Sequence, residues 1–153
     1  MIVATEDLGE LAGRVAMVDG GFDPLHAGHV AYFAAAAELG APVLCNVSGD
    51  HYVSRKHVPL LDEQERAEVI AAIRYVDHVH ISRTSTEEIL RRLRPRYYVK
   101  GFDWRDRLPE EQIAICAAQG TEVVYVDTVR NSSSRLLREY VAANASDIEV
   151  SRE

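Results

Sequence analysis

Cysteine is scarce: Cys45 and Cys116 are the only two. Both sit in apolar runs, VLCNV and AICAA, with neither metal-ligand spacing nor a disulfide framework, so buried free thiols in a reducing compartment are expected. Basic charge is also short, with 17 Lys and Arg against 24 Asp and Glu and a net charge of −7. That balance excludes broad-surface gripping of DNA, RNA or an anionic membrane. It leaves room for a polyanionic small molecule held where bases and backbone amides converge. No apolar stretch approaches the roughly 20 residues that span a bilayer. The opening MIVATEDLGELAG places acidic residues ahead of any apolar run, unlike a secretory signal. The expectation is a cytoplasmic protein with no nucleic-acid and no membrane partner.

Linkers rich in Pro, Gly or Ser, internal repeats and low-complexity tracts are missing as well. With 47% hydrophobic residues over 153 positions, the chain suits one domain with a proper core. We read a single domain over 1–153, packed over about 14–143. The first dozen residues and the tail after Asn144 read as loosely attached ends.

What is present is an alternation of short apolar runs and helical patterns. Strands are expected at Val15–Val18, Pro42–Val47, His78–Ile81, Tyr97–Lys100 and Glu122–Val126. Helices are expected at Gly28–Leu39, stopped by Gly40, and at Asp62–Tyr75, opened by an Asp62/Glu65 capping box. Ser85 and Glu88 offer a second box before a helix that Pro95 stops. Further helices run from Pro109 to Gln119, closed by Gly120, and from Ser134 to Ala143. This order predicts an α/β fold, a Rossmann-like five-stranded parallel sheet with helices on both faces. Ligands of such sheets bind beyond the carboxyl ends of the strands, at the switch point. The loops after Val18, Val47, Val99 and Val126 are therefore the ones that matter.

The first of them reads Gly20-Gly21-Phe22-Asp23-Pro24-Leu25-His26-Ala27-Gly28-His29. His26 and His29 fall at a helix N-terminus, whose unpaired N–H groups and partial positive charge suit phosphate. Gly20 and Gly21 let the backbone approach a ligand, and Gly28 leaves room at the helix start. Asp23 is placed to brace the loop or orient a histidine. His51, His78 and His80 read as structural. Arg66, inside a helix, is open between an ion pair and a phosphate role.

At this string the sequence resembles the cytidylyltransferase-like nucleotidyltransferases, whose signature is an HxGH motif after the first strand, here HAGH at 26–29. Three further blocks come after it in order. They are His57-Val58-Pro59-Leu60 with Asp62–Arg66 and AAIRYVDHV, then Val99-Lys100-Gly101-Phe102-Asp103-Trp104, and Arg130-Asn131-Ser132-Ser133-Ser134. The pattern is most similar to heptose-1-phosphate adenylyltransferases, with glycerol-3-phosphate cytidylyltransferases next. It departs from those families in having Val18 and Asp19 before the glycine pair, Val58 where an arginine is common, and serines for threonines in the last block.

The resemblance implies transfer of a nucleoside monophosphate from ATP or CTP to a phosphorylated sugar or polyol, with release of pyrophosphate. It implies Mg²⁺ carried on the nucleotide phosphates, no metal ligands from the protein, and a homodimer. His26, His29, Lys56 and Lys100 become the catalytic candidates. Nucleotide binding is expected from Gly20, Gly21, Phe22, Asp23, Gly28, Gly101, Asp103, Trp104, Arg130, Ser132, Ser133 and Ser134. A pantetheine-phosphate type of adenylyltransferase and a non-catalytic nucleotide-sensing module are the alternatives.

Overall fold

The computed structural model of the chain describes residues 1–128 and 132–150, apart from the side chains of 146–150. Five strands form one sheet: β1 (Ala16–Gly20), β2 (Val43–Ser48), β3 (His78–Ser82), β4 (Tyr97–Gly101) and β5 (Glu122–Val126). All are parallel, in the order β3-β2-β1-β4-β5. The helices are α1 (Ala27–Ala37), α2 (Asp50–Val53), α3 (Glu63–Ala71), α4 (Thr86–Leu93), α5 (Glu110–Gln119) and α6 (Ser133–Val150). The expected Rossmann-like architecture is the one observed.

Side-chain alternation explains the two layers. Ala16, Val18, Cys45 and Val47 face one core together with Phe33 and Ala36 of α1 and Ala67 and Ile70 of α3. Val15, Met17, Leu44 and Tyr98 face the other, against Ile89, Leu90 and Leu93 of α4 and Ile115 and Cys116 of α5. Strands buried on both faces read as continuous apolar runs, which is why they are visible in the sequence.

One seam in the sheet is incomplete. β1 runs beside β2 over five residue pairs, from Ala16–Val43 to Gly20–Val47. Against β4 it pairs only at Ala16–Tyr97 and Met17–Tyr98. The two central strands therefore part toward their carboxyl ends, and the strand order reverses outward from that point. A crevice opens there by topology alone.

Local chemistry sets the helix ends. Asp62 accepts from the Glu65 N–H at 2.8 Å and Glu65 returns to the Asp62 N–H, the expected capping box. Ser85 caps α4 by accepting from the Glu88 N–H, but the Glu88 carboxylate turns to Arg92 instead. Gly120, at φ +76°, closes α5 in a left-handed conformation that costs glycine little. α3 ends at Ala71, earlier than Tyr75, because the chain tightens into turns that seat the buried Val76. α6 continues to Val150, past the expected stop at Ala143. The four-residue α2 is too short to carry a periodic signal, and the sequence pattern gives no sign of it.

The N-terminus corrects another expectation. Residues 1–12 are not loosely attached. Ile2 bridges Val79, the Val3 N–H donates to the Val79 carbonyl at 2.7 Å, and Val79 donates to the Met1 carbonyl. A 3₁₀ helix at Thr5–Leu11 then seats Leu8, fully buried, against α4. Thr5 Oγ1 lies 2.9 Å from His80 Nε2, and His80 Nδ1 lies 2.7 Å from Asn46 Oδ1. Burial pushes His80 down to about 4, so it stays neutral and structural. Two leucines three residues apart, Leu8 and Leu11, are too short a pattern among polar neighbours for this docking to be read in advance. Leu8→Ala should cost about 2–5 kcal/mol of stability, as buried leucine truncations do. A denaturation midpoint equal to that of the parent chain would return this segment to a loose end.

Candidate functional site

The crevice beyond β1 and β4 is a cleft of about 560 Å³. Every expected site residue within the described part of the chain lines it. From the first loop these are Gly20, Gly21, Phe22, Asp23, His26, Gly28 and His29. Lys56 lies on the second loop, Lys100, Gly101, Asp103 and Trp104 at the end of β4, and Ser132, Ser133 and Ser134 at the start of α6. Arg130 falls outside the described residues. Four segments far apart in sequence converge because each lies beyond a strand end of the same sheet.

The HAGH turn is built by its own backbone. His26 is the N-cap of α1, and its Nδ1 accepts from the Gly28 N–H at 3.1 Å. The His26 N–H donates in turn to His29 Nδ1 at 3.2 Å. The histidines thus form a reciprocal capping box, a role usually taken by Ser or Asp with Glu. An imidazole that accepts at Nδ1 carries its proton on Nε2. Both rings are therefore set as Nε2–H donors.

Their electrostatics agree. The rings stack with centroids 3.7 Å apart and an interplanar angle of 21°, and His29 sits edge-on to Phe22 at 4.9 Å. Burial, and then the neighbouring His26, holds His29 down to about 3, and burial lowers His26 too. Two stacked imidazoliums would repel, so neutrality is the stable state near pH 7. His26 Nε2 is buried with no hydrogen-bond partner among the described residues. An orphaned N–H of this kind costs about 1–3 kcal/mol. An anionic oxygen in the cleft would recover it.

Two clamps hold the first loop against the second. The Asp23 carboxylate, 3% exposed, accepts from the Leu60 N–H at 2.7 Å and the Leu61 N–H at 3.3 Å. It also accepts from His57 Nε2 at 3.1 Å. Asp23 lines the cleft, but its oxygens are engaged in bracing. Arg66, 1% exposed, donates to the carbonyls of Gly21 and Ser48 at 2.8 and 2.7 Å and to Leu61 at 3.1 Å. Its remaining nitrogen pairs with Asp50 at 2.7 Å. The fork satisfies four oxygens on three segments, which decides Arg66 as a structural clamp.

Lys100, expected to reach a phosphate, pairs with Asp19 Oδ1 at 2.8 Å. Its ammonium also lies 4.3 Å from the Trp104 ring centroid. Lys56 is exposed at the cleft wall. At the start of α6, Ser132 Oγ accepts from the Arg135 N–H as a helix cap, and Ser133 Oγ donates to the Pro24 carbonyl at 2.8 Å. Ser133 thereby docks α6 onto the first loop. Sequence reasoning missed Tyr32, Tyr52 and Arg55, which also line the cleft. Tyr32 belongs to a helix whose apolar face hides it, and Tyr52 and Arg55 belong to the unforeseen α2 region.

Gly28 is required by the ring above it. A Cβ there would come within 2.9 Å of His26 Cε1. Gly28→Ala should thus displace His26, lower activity and, by loss of the cap, cost about 0.5–2 kcal/mol of stability. Catalytic assay beside thermal unfolding checks this. A fully active alanine variant would remove the steric reason for the motif's glycine.

Comparison with known proteins meets this geometry at the level of family. The Cytidylyltransferase-like family matches residues 17–145. A D-beta-D-heptose 1-phosphate adenylyltransferase of Bordetella bronchiseptica is 39% identical over 115 residues, covering 71% of this chain and 71% of that protein. The bifunctional protein HldE of Magnetococcus marinus is 34% identical over 137 residues, 85% of this chain. The chain spans only 27% of that bifunctional relative's length. Among solved structures, a lipopolysaccharide core biosynthesis protein from Thermoplasma volcanium superposes with a TM-score of 0.63 at 22% identity, over 78% of this chain and 98% of that one. An Archaeoglobus fulgidus protein of unknown function superposes at 0.58 and 21% identity, over 78% and 93%. These two speak to the fold. With the motif blocks in order and the family matched over most of its length, the chain belongs to the cytidylyltransferase-like family of nucleotidyltransferases.

Proposed function

We propose that this chain transfers an adenylyl group from ATP to the phosphate of a phosphorylated sugar, releasing pyrophosphate. The observation that carries the reading is the pair of neutral Nε2–H donors at the mouth of α1, one of them buried without a partner among the described residues. The adenylyl group and the sugar phosphate are taken from the relative of Bordetella bronchiseptica, whose name carries both.

In this reading an anionic oxygen of the acceptor phosphate attacks the α-phosphorus of ATP. A new P–O bond forms as the bond to the α,β-bridging oxygen breaks, and pyrophosphate leaves with that electron pair. The nucleophile is already ionised, so no general base is needed. Catalysis rests on positioning and on stabilising charge that grows on the leaving group. His26 and His29 supply fixed neutral donors for that charge. Being uncharged, they do not hold the product as an ion pair would. Gly20 leaves room for the Phe22 ring beneath the turn, and Trp104 with Asp103 borders the nucleoside end.

The donor set is made for anionic oxygens. Among the described residues no group of three or more His, Cys, Asp or Glu could hold a metal ion. In this reading Mg²⁺ would come with the triphosphate and would supply charge neutralisation there.

A pyrophosphate-release assay over four nucleoside triphosphates and a panel of sugar and polyol phosphates tests the proposal. ATP with a sugar 1-phosphate should give turnover, and His29→Ala should lower kcat by about two to three orders of magnitude in a folded protein. Orthophosphate as the first product, or normal turnover by the variant, would contradict it. Lys56 gives a second test, because its flexible ammonium sits on the second loop, away from the HAGH turn in the chain, and suits a phosphate that arrives second. Lys56→Ala should raise the acceptor KM while nucleotide affinity stays within a few-fold of the parent. An equal rise in nucleotide Kd would make Lys56 a triphosphate ligand instead.

A further inference from the structure

The floor of the cleft holds a carboxylate, an awkward group beneath a polyanion. Asp19 is the fourth residue of β1, and Lys100 the fourth of β4. Backbone pairing between those strands is confined to Ala16–Tyr97 and Met17–Tyr98, so both residues lie where the strands have parted. The ion pair spans the gap at 2.8 Å, with side-chain exposures of 9% for Lys100 and 12% for Asp19. The Tyr98 hydroxyl lies 3.1 Å from the other Asp19 oxygen and 3.0 Å from Gln112 Oε1, and Gln112 donates to Glu87 at 3.1 Å. The Tyr32 hydroxyl donates to the Val99 carbonyl at the same seam. Side chains replace the missing ladder there. On the cleft side, the Lys100 ammonium rests against the Trp104 ring at 4.3 Å.

We propose that Asp19 is a positioning residue that fixes Lys100 beneath Trp104, and that the Lys100 charge serves to neutralise Asp19 and not to bind a phosphate. Both charges of this buried pair are already committed. Removing one partner of such a pair leaves an uncompensated charge, whereas removing both is often close to neutral. Lys100 thereby makes the floor electrically tolerable for a nucleotide, and its grip on Trp104 sets the wall at the nucleoside end. The nucleotide half of the inference rests on the function proposed above. The half concerning Trp104 does not.

The test uses Asp19→Asn, Lys100→Met and the double variant D19N/K100M in the full chain. Trp104 is the sole tryptophan, so its emission in nucleotide-free protein reports the ammonium beside it. Both single variants should change that emission, because Asp19→Asn releases the ammonium it holds. Lys100→Met should weaken ATP binding by about tenfold or more, and the double variant should regain most of that loss. If Lys100→Met fails to fold while the double variant folds and binds, the conclusion is the same: the damage is the unpaired carboxylate. An Asp19→Asn emission equal to the parent's overturns the positioning role. A double variant no better than Lys100→Met, or a Lys100→Met that binds normally, overturns the counter-charge role. Parent protein that binds no nucleotide would instead strike the functional proposal, and the emission arm would still decide the pair.

Discussion

Two backbone N–H groups at the first turn of α1 point at imidazole nitrogens, and the site is built on that constraint. A helix N-terminus must satisfy its free donors. Here it does so with the Nδ1 atoms of His26 and His29, which forces the Nε2 atoms to be donors. Gly28 leaves space for the first ring, and Phe22 supports the second. The resulting group is cation-like in its hydrogen bonding and uncharged in its electrostatics. Such a surface can track charge as it develops on a leaving group without trapping the product.

The rest of the cleft keeps that turn in register with its surroundings. Asp23 and Arg66, both buried, tie the first loop to the second through backbone groups of Gly21, Ser48, Leu60 and Leu61. Ser133 ties α6 to Pro24. The wall carrying Lys56 is thus mechanically joined to the loop carrying the histidines, two structures that the proposed reaction needs at fixed separation. A misplacement of even about 1 Å is costly in reactions governed by orientation.

Much of this is legible in the sequence, and for a definite reason. Doubly buried strands, capped helices and the HAGH string are local patterns, so the parallel sheet, the switch-point cleft and its first loop can be argued from residues alone. What stays hidden depends on partners distant in sequence. Leu8 and Leu11 stand in a short polar stretch, and packing against α4 makes Leu8 core. Arg66 looks like any helix-surface arginine until the carbonyls of Gly21 and Ser48 surround it. The ion pair of Lys100 is hidden because its partner Asp19 lies 81 residues away. Lone charged residues reveal their role only when both ends of an interaction are in view.

The tautomeric state of the histidine pair tests the account most directly. Nitrogen-15 correlation spectra of His26 and His29, recorded through a pH titration, distinguish an Nε2–H imidazole from its Nδ1–H tautomer and from imidazolium. His29 is held down to about 3 by burial and by His26, against an ordinary histidine value of about 6.5. It should therefore keep the neutral Nε2–H form across pH 5–8, and the Nε2–H signals of both rings should shift when ATP is added. An imidazolium at His29 near pH 6, or an Nδ1–H tautomer on either ring, would contradict the arrangement on which the proposed chemistry stands.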